Sequence, residues 1–266
     1  MRTTNTTNTT NTPVFNEGYD DLTEMVFSDE FSNQQDIIQK LVQQLVQLYN
    51  GDVTKLDFRG IRLSNWLAVF LAYALPNTSQ LTVLDLSYCN LGSKGIKTIV
   101  AALENKHSLT TLDLSWNQMA FIGAMELGNV LFGGITDLNL SGNLIGDRAI
   151  ACIAMDIKKG PDIIEKFNLS HNLIKDAGAA ILAKSLLEKQ QLTELNLESN
   201  EIGDKGSDCL IELAKRSDKL KITLKGNPSK FFGMNLKRNN NELSNKLSNE
   251  LSNELNMPSW SKRQKR

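Results

Sequence analysis

The side chains able to do chemistry are few in this chain and poorly placed for it. Three cysteines (Cys89, Cys152, Cys209) and two histidines occur without a C-x-x-C, an H-E-x-x-H, a G-x-S-x-G or a phosphate-loop lysine motif. Two histidines are too few to seed a metal site of the usual kinds. No catalytic residue, metal or cofactor is expected. Two aspartates recur in matching stretches, Asp85 in LTVLDLSYCNL and Asp113 in LTTLDLSWNQM. A carboxylate pair close in space perturbs its own titration, but hydrolytic work needs a pocket around it. The same stretches place aromatic residues at one offset, Tyr88 and Trp116. Aromatic rings beside carboxylates on a rigid exposed surface are the composition of a binding hot spot rather than of an active site.

What positions these residues is a repeat. Seven segments align: VTKLDFRGIRL from Val53, LTVLDLSYCNL from Leu81, LTTLDLSWNQM from Leu109, ITDLNLSGNLI from Ile135, IEKFNLSHNLI from Ile164, LTELNLESNEI from Leu192, and KLKITLKGNPS starting one residue before Leu220. The template is LxxLxLxx(N/C)xL, with its N/C position at 61, 89, 117, 143, 172, 200 and 227. A small residue follows six positions later in five units (Gly95, Gly123, Ala149, Gly178, Gly206). Apolar residues come ten positions later (Leu71, Ile99, Leu127, Ile153, Leu182, Leu210) and fourteen later (Leu75, Leu103, Leu131, Ile157, Leu186, Ala214). Steps of four on one face predict a helix. Each unit therefore reads as a strand, a turn and a helix, the small residue letting the helix lie close to its strand and neighbour.

The template and the period of 26–29 residues resemble the leucine-rich repeat family, specifically its long, ribonuclease-inhibitor-like subtype. The resemblance covers residues 53–228. It implies an α/β solenoid, a parallel sheet on the concave side and helices on the convex side, because strands stack ~4.8 Å apart and helices ~8–10 Å apart. The LxL leucines point inward and the asparagine satisfies backbone groups at the turn. Cys89 in the asparagine place is a family variant read as structural. Ile61 and the seventh unit depart from the pattern, as end units do.

Residues between the scaffold positions form columns on the strand face. One reads Asp57, Asp85, Asp113, Asn139, Asn168, Asn196, Thr223; the next Arg59, Ser87, Ser115, Ser141, Ser170, Glu198, Lys225; the column before the N/C position reads Gly60, Tyr88, Trp116, Gly142, His171, Ser199, Gly226. Tyr88 and Trp116 are expected side by side at the exit edge of the sheet, with Asp85 and Asp113 behind them and Arg59, His171 and Glu198 on the same face. A basic partner suits this set, pairing with the acids and stacking on the rings. Cys89 and His171 are three repeats apart, ~14 Å at strand spacing, too far to act as a dyad.

The ends read differently. Residues 1–13 are a Thr/Asn-rich low-complexity segment, expected to be disordered, with sequons at Asn5 and Asn8. Residues 14–52 are expected to form a helical N-terminal cap: Ser32–Gln35 resembles a capping box, Ile37, Ile38, Leu41, Leu45 and Leu48 share one face, and Asn50-Gly51 stops the helix. Phe15, Tyr19, Leu22, Met25 and Phe27 are expected to pack beside it. Residues 229–266 read as a low-complexity, weakly helical basic tail, with Leu243, Leu247, Leu251 and Leu255 in a stripe and a terminal SKRQKR cluster.

A net charge of −1 argues against general nucleic-acid binding. The start lacks a signal-peptide h-region, Trp66 to Leu75 is too short to span a bilayer, and an odd cysteine count without close pairs suggests reduced thiols. These observations point to a monomeric, cytoplasmic, non-enzymatic scaffold that binds a partner protein on its concave face. The alternative is a regulator of a small GTPase, since Ran GTPase-activating proteins share the repeat signature. The Asn-rich simple sequence also suits an effector delivered into a host cell by an intracellular bacterium, and the basic end suits nuclear targeting.

Overall fold

The computed structural model describes residues 35–50, 53–63, 65–104, 106–131, 133–230 and 235–236. The sequons, the 14–34 segment with its capping box, the Leu243–Leu255 stripe and the basic terminus lie outside these residues. The chain forms two compact units, residues 1–43 and 44–266. The first is represented by the opening turns of helix α1 (Gln35–Asn50). The second carries the rest of α1 and the repeats.

Within that second unit the expected architecture is present. Strands β1 (Lys55–Asp57), β2 (Val83–Asp85), β3 (Thr111–Asp113), β4 (Asp137–Asn139), β5 (Lys166–Asn168), β6 (Glu194–Asn196) and β7 (Lys221–Thr223) lie parallel and in sequence order. Helices α2 (Asn65–Ala74), α3 (Gly92–Ala102), α4 (Ala120–Ala124), α5 (Gly128–Leu131), α6 (Asp147–Lys159), α7 (Asp176–Leu186) and α8 (Asp204–Ala214) alternate with them. The register matches the repeat residue for residue: Leu56, Leu84, Leu112, Leu138, Phe167, Leu195 and Ile222 are successive partners. These residues and the second leucines of each LxL are buried. The helix positions ten and fourteen residues after the N/C position, Leu71 to Leu210 and Leu75 to Ala214, are buried too. The core is thus one apolar layer between sheet and helices.

In the fifth and sixth repeats the small residue lies against an aspartate of the repeat before it. A Cβ on Gly206 would press 2.8 Å from Asp176 Oδ1. That carboxylate accepts from the Gly203 and Gly206 N–H groups at 2.7 and 2.9 Å. Asp147 accepts from Lys175 N and Asp204 from Lys230 N in the same way, at 2.8 and 2.7 Å. Each helix-opening aspartate therefore ties its repeat to the next, near a helix N-terminus whose dipole favours it.

Two features differ from the sequence expectation. The helix of the third repeat is broken into α4 and α5. This repeat is the shortest, with 26 residues to the next N/C position, and Gly123, Gly128, Gly133 and Gly134 lower its helix propensity. Leu127 and Leu131 nonetheless stay buried, so the apolar face survives the break. Secondly, the segment expected to be weakly helical contributes strand β8 (Asn235–Leu236). It pairs antiparallel with β7 through Ile222↔Leu236 and Thr223↔Asn235. At the other edge, Gln44 Oε1 accepts the outward N–H of Asp57 at 2.6 Å, and Leu48 is buried. Among the described residues no helix is long and apolar enough to cross a membrane.

Candidate protein-binding face

The turn after each strand is built by two side chains with opposite jobs. The N/C asparagine turns inward. Asn143 Oδ1 accepts from Asn117 N and Met119 N at 3.0 and 3.2 Å, while its Nδ2 donates to Leu114 O, Leu140 O and Ser141 O. Asn117, Asn172 and Asn200 use the same amide pattern, and Asn227 ends the ladder. Asn117 and Asn143 are fully buried. One carboxamide offers both an acceptor and donors, so it joins two turns at once. Cys89 takes over the donor half, its Sγ donating to Phe58 O at 3.1 Å. The acceptor half is not missed: Ile61 N donates to Phe58 O and Leu63 N to Cys89 O, both at 2.9 Å.

The Asp/Asn column on the strand face also has a structural job. Each side-chain oxygen accepts the backbone N–H two residues on: Asp57 from Arg59, Asp85 from Ser87, Asp113 from Ser115, Asn139 from Ser141, Asn168 from Ser170 and Asn196 from Glu198. These are Asx turns. The outer oxygens of the two candidate aspartates are engaged as well. Arg59 Nη2 and Nε donate to Asp85 Oδ2 at 2.6 and 3.1 Å, a contact that raises the Arg59 pKa. Asn139 Nδ2 donates to Asp113 Oδ2 at 2.8 Å. Further along, Lys166 meets Asp137 at 3.6 Å and Lys225 meets Glu198 at 3.9 Å. The charges of this face largely answer one another across strands.

The rings do not. Tyr88 and Trp116 are stacked, with centroids 5.4 Å apart and planes 9° from parallel, and remain 55% and 41% exposed. His171 joins them, 5.7 Å from Trp116 and tilted by 39°. Trp116 and His171 belong to alternate repeats. The indole reaches across because residue 142 is glycine: a Cβ there would lie 2.7 Å from Trp116 Cε2 and 2.8 Å from Cε3. The sequence column shows Gly142 between Trp116 and His171, and that gap was the available signal for the three-ring row. Of the candidate residues, then, Tyr88, Trp116 and His171 come together; Arg59 and Asp85 pair with each other; Asp113 serves its turn; Glu198 stands apart beside Lys225.

The backbone beneath the rings is left-handed. Tyr88, Trp116, His171 and Ser199 have φ of 59°, 58°, 54° and 54°, and Gly60, Gly142 and Gly226 occupy the same column at 75°, 66° and 78°. Only glycine adopts this region freely; other residues pay ~1–2 kcal/mol. Aromatic contact returns ~0.5–1.5 kcal/mol per pair, so the two ring contacts offset only part of the strain of the three left-handed ring residues.

Short parallel strands in register, a continuous asparagine ladder and backing helices define a solenoid that offers one uninterrupted strand face. Residues 79–100, 105–128, 135–154 and 189–210 match the family description "Leucine Rich repeat". The chain is a leucine-rich repeat protein. NACHT, LRR and PYD domains-containing protein 5 of Bos taurus is 28% identical over 168 residues, 62% of this chain and 15% of that protein. RAN GTPase-activating protein 2 of Arabidopsis thaliana is 34% identical over 86 residues, 32% of this chain and 16% of that protein. The chain thus aligns with about one-sixth of the length of these relatives. The solved structure of the Leiomodin-1 Actin-Binding Site 2 aligns at a TM-score of 0.40 and 16% identity, over 72% of this chain and 99% of that one.

Proposed function

We propose that this chain is a protein-binding scaffold, and that its partner docks at the exit edge of the strand face with Tyr88, Trp116 and His171 at the energetic centre. One observation carries the reading. Large exposed rings occupy left-handed turn positions that three sister repeats fill with glycine. Strain kept where glycine would relieve it is the mark of a functional constraint. The acids of the Asp column contribute less to this reading, because Asp85 and Asp113 already have partners within the chain.

The test uses the same logic. Replacing Tyr88 and Trp116 together by glycine relieves two left-handed residues and removes one stack. The backbone relief of ~2–4 kcal/mol exceeds the ~0.5–1.5 kcal/mol of the lost stack, so stability is expected to hold or rise. Quantitative capture of partner proteins from lysate, wild type against the double variant, is expected to show specific proteins lost by about tenfold or more. Equal capture by both proteins would overturn the site.

The matched segment of the plant RAN GTPase-activating protein supports a second reading, regulation of a small GTPase. A GTP-hydrolysis assay on Ran with and without the chain tests it, and an unchanged rate sinks it. Cytoplasmic residence and delivery into a host cell rest on composition; a secretion assay on the full chain, followed by fractionation, tests both.

A further inference from the structure

Beyond the ring row, where the chain leaves each strand for its helix, apolar side chains from three successive repeats converge. Phe121 lies in the first turn of α4, and Leu144 and Leu173 each follow a ladder asparagine by one residue. Together with Arg148 and Lys175 they line an open pocket of about 350 Å³. That is the size range of sites that take a large side chain or a small ligand. Leu144 is 54% exposed and Leu173 44%. Leu144 is also left-handed, at φ 57°. The second repeat puts Asn90 at the equivalent place, at φ 54°, and asparagine tolerates this region far better than leucine. An exposed leucine in a left-handed turn is unfavourable twice, in hydration and in backbone.

The rim of the pocket holds two cations, Arg148 and Lys175, and one carboxylate, Asp147. The Arg148 guanidinium carbon lies 4.8 Å over the Phe121 ring. Among the described residues no carboxylate forms an ion pair with it. Lys175 is 3.4 Å from Glu201, an exposed pair that salt weakens. The acid in the pocket wall, Asp147, is turned to the next repeat, where its Oδ1 accepts from Lys175 N and covers Gly178. An apolar floor beneath an unpaired guanidinium selects an apolar group next to an anion.

We propose that this edge pocket receives an apolar side chain of a partner protein that stands beside an Asp or Glu in the partner's sequence. The side chain lies on Phe121, Leu144 and Leu173, and the carboxylate meets Arg148. The inference deepens the scaffold reading and rests on it. The Trp116 ring covers Gly142, two residues before Leu144, so one extended segment can run from the ring row into the pocket.

The experiment is a random-peptide display selection on the immobilised full chain. Affinities of the enriched peptides are then measured by fluorescence anisotropy on wild type, Arg148→Glu, Leu173→Ser and the Tyr88→Gly, Trp116→Gly double variant. Enriched peptides are expected to carry an apolar residue next to Asp or Glu and to weaken about tenfold on Arg148→Glu. Changing the peptide acid to Lys is expected to restore binding to Arg148→Glu, which also shows that this variant is folded. No enrichment, enriched peptides without the apolar–acid pair, affinities unmoved by Arg148→Glu and Leu173→Ser, or no rescue by the swap would each overturn the proposal. Weakening on the double variant alone sinks the pocket and leaves the ring row standing. Weakening on Arg148→Glu and Leu173→Ser but not on the double variant does the reverse.

Discussion

Asn117 and Trp116 are neighbours in the chain and opposites in every other respect. The asparagine is buried, bonded on both sides of its amide, and repeated almost unchanged from repeat to repeat. The tryptophan is exposed, left-handed, and occupies a column whose other members are glycine, tyrosine, histidine and serine. The inner residue holds the turn so firmly that the outer one can be almost anything. A turn held by its inner residue tolerates strain in its outer one, which leaves that side chain available for recognition.

The comparison breaks most visibly if the inner column is cut. Asn143→Ala removes two accepted and three donated hydrogen bonds in the middle of the ladder. Urea unfolding is expected to show a loss of ~3–5 kcal/mol, since buried backbone groups on two repeats lose partners. A loss below about 1 kcal/mol would mean that the ladder is redundant.

Gly142→Ala attacks the outer column instead. The new methyl invades the Trp116 ring and the backbone stays at positive φ. A destabilisation of ~1–2 kcal/mol is expected, with a change in near-ultraviolet circular dichroism as the indole leaves His171. An unchanged spectrum would contradict the three-ring row.

Cys89→Asn sharpens the inner column. If Cys89 were merely a missing rung, asparagine would stabilise. The donors it would serve, Ile61 N and Leu63 N, already have carbonyl partners, so the added amide oxygen is buried without one. The expected change is a destabilisation of ~1–2 kcal/mol; a gain would show that the ladder extends to the first repeat.

The smallest effect belongs to the helix side. Burial raises the Asp156 carboxyl above its ordinary 3.8, and Lys159 opposes the shift. The folded state therefore holds this proton more tightly than the unfolded one, and stability falls as pH rises from 3.8 through the raised value. Asp156→Asn is expected to remove that slope and to raise the neutral-pH melting temperature slightly. A steeper slope in the variant would reverse the assignment.

The repeat made most of the fold legible before any coordinates. LxL and asparagine at constant spacing specify strand, turn and register together, and the buried set Leu84, Leu112, Leu138 and Leu195 follows from it. What escaped has local causes. The break between α4 and α5 depends on how four glycines and a shorter repeat combine, though Leu127 and Leu131 keep the apolar spacing. The Asp column reads identically whether its oxygens face a partner or the backbone two residues on. Gly60, Gly142 and Gly226 hinted that their column is left-handed, but only the geometry shows Trp116 reaching past one repeat to His171. The edge pocket was hidden because Phe121 stands four residues after its ladder asparagine while Leu144 and Leu173 stand one after theirs, so that the three meet only after the helices are placed.

Strand β8 has a meaning beyond its two residues. A stack of identical parallel units is, in principle, a polymer without a natural end, because each strand presents the edge the next one needs. Asn235–Leu236 runs the opposite way against β7. That reversal breaks the parallel series. The edge beyond it no longer offers the in-register parallel template that another copy's first repeat would recognise. Direction, rather than charge or bulk, is what sets this edge apart from the strands before it.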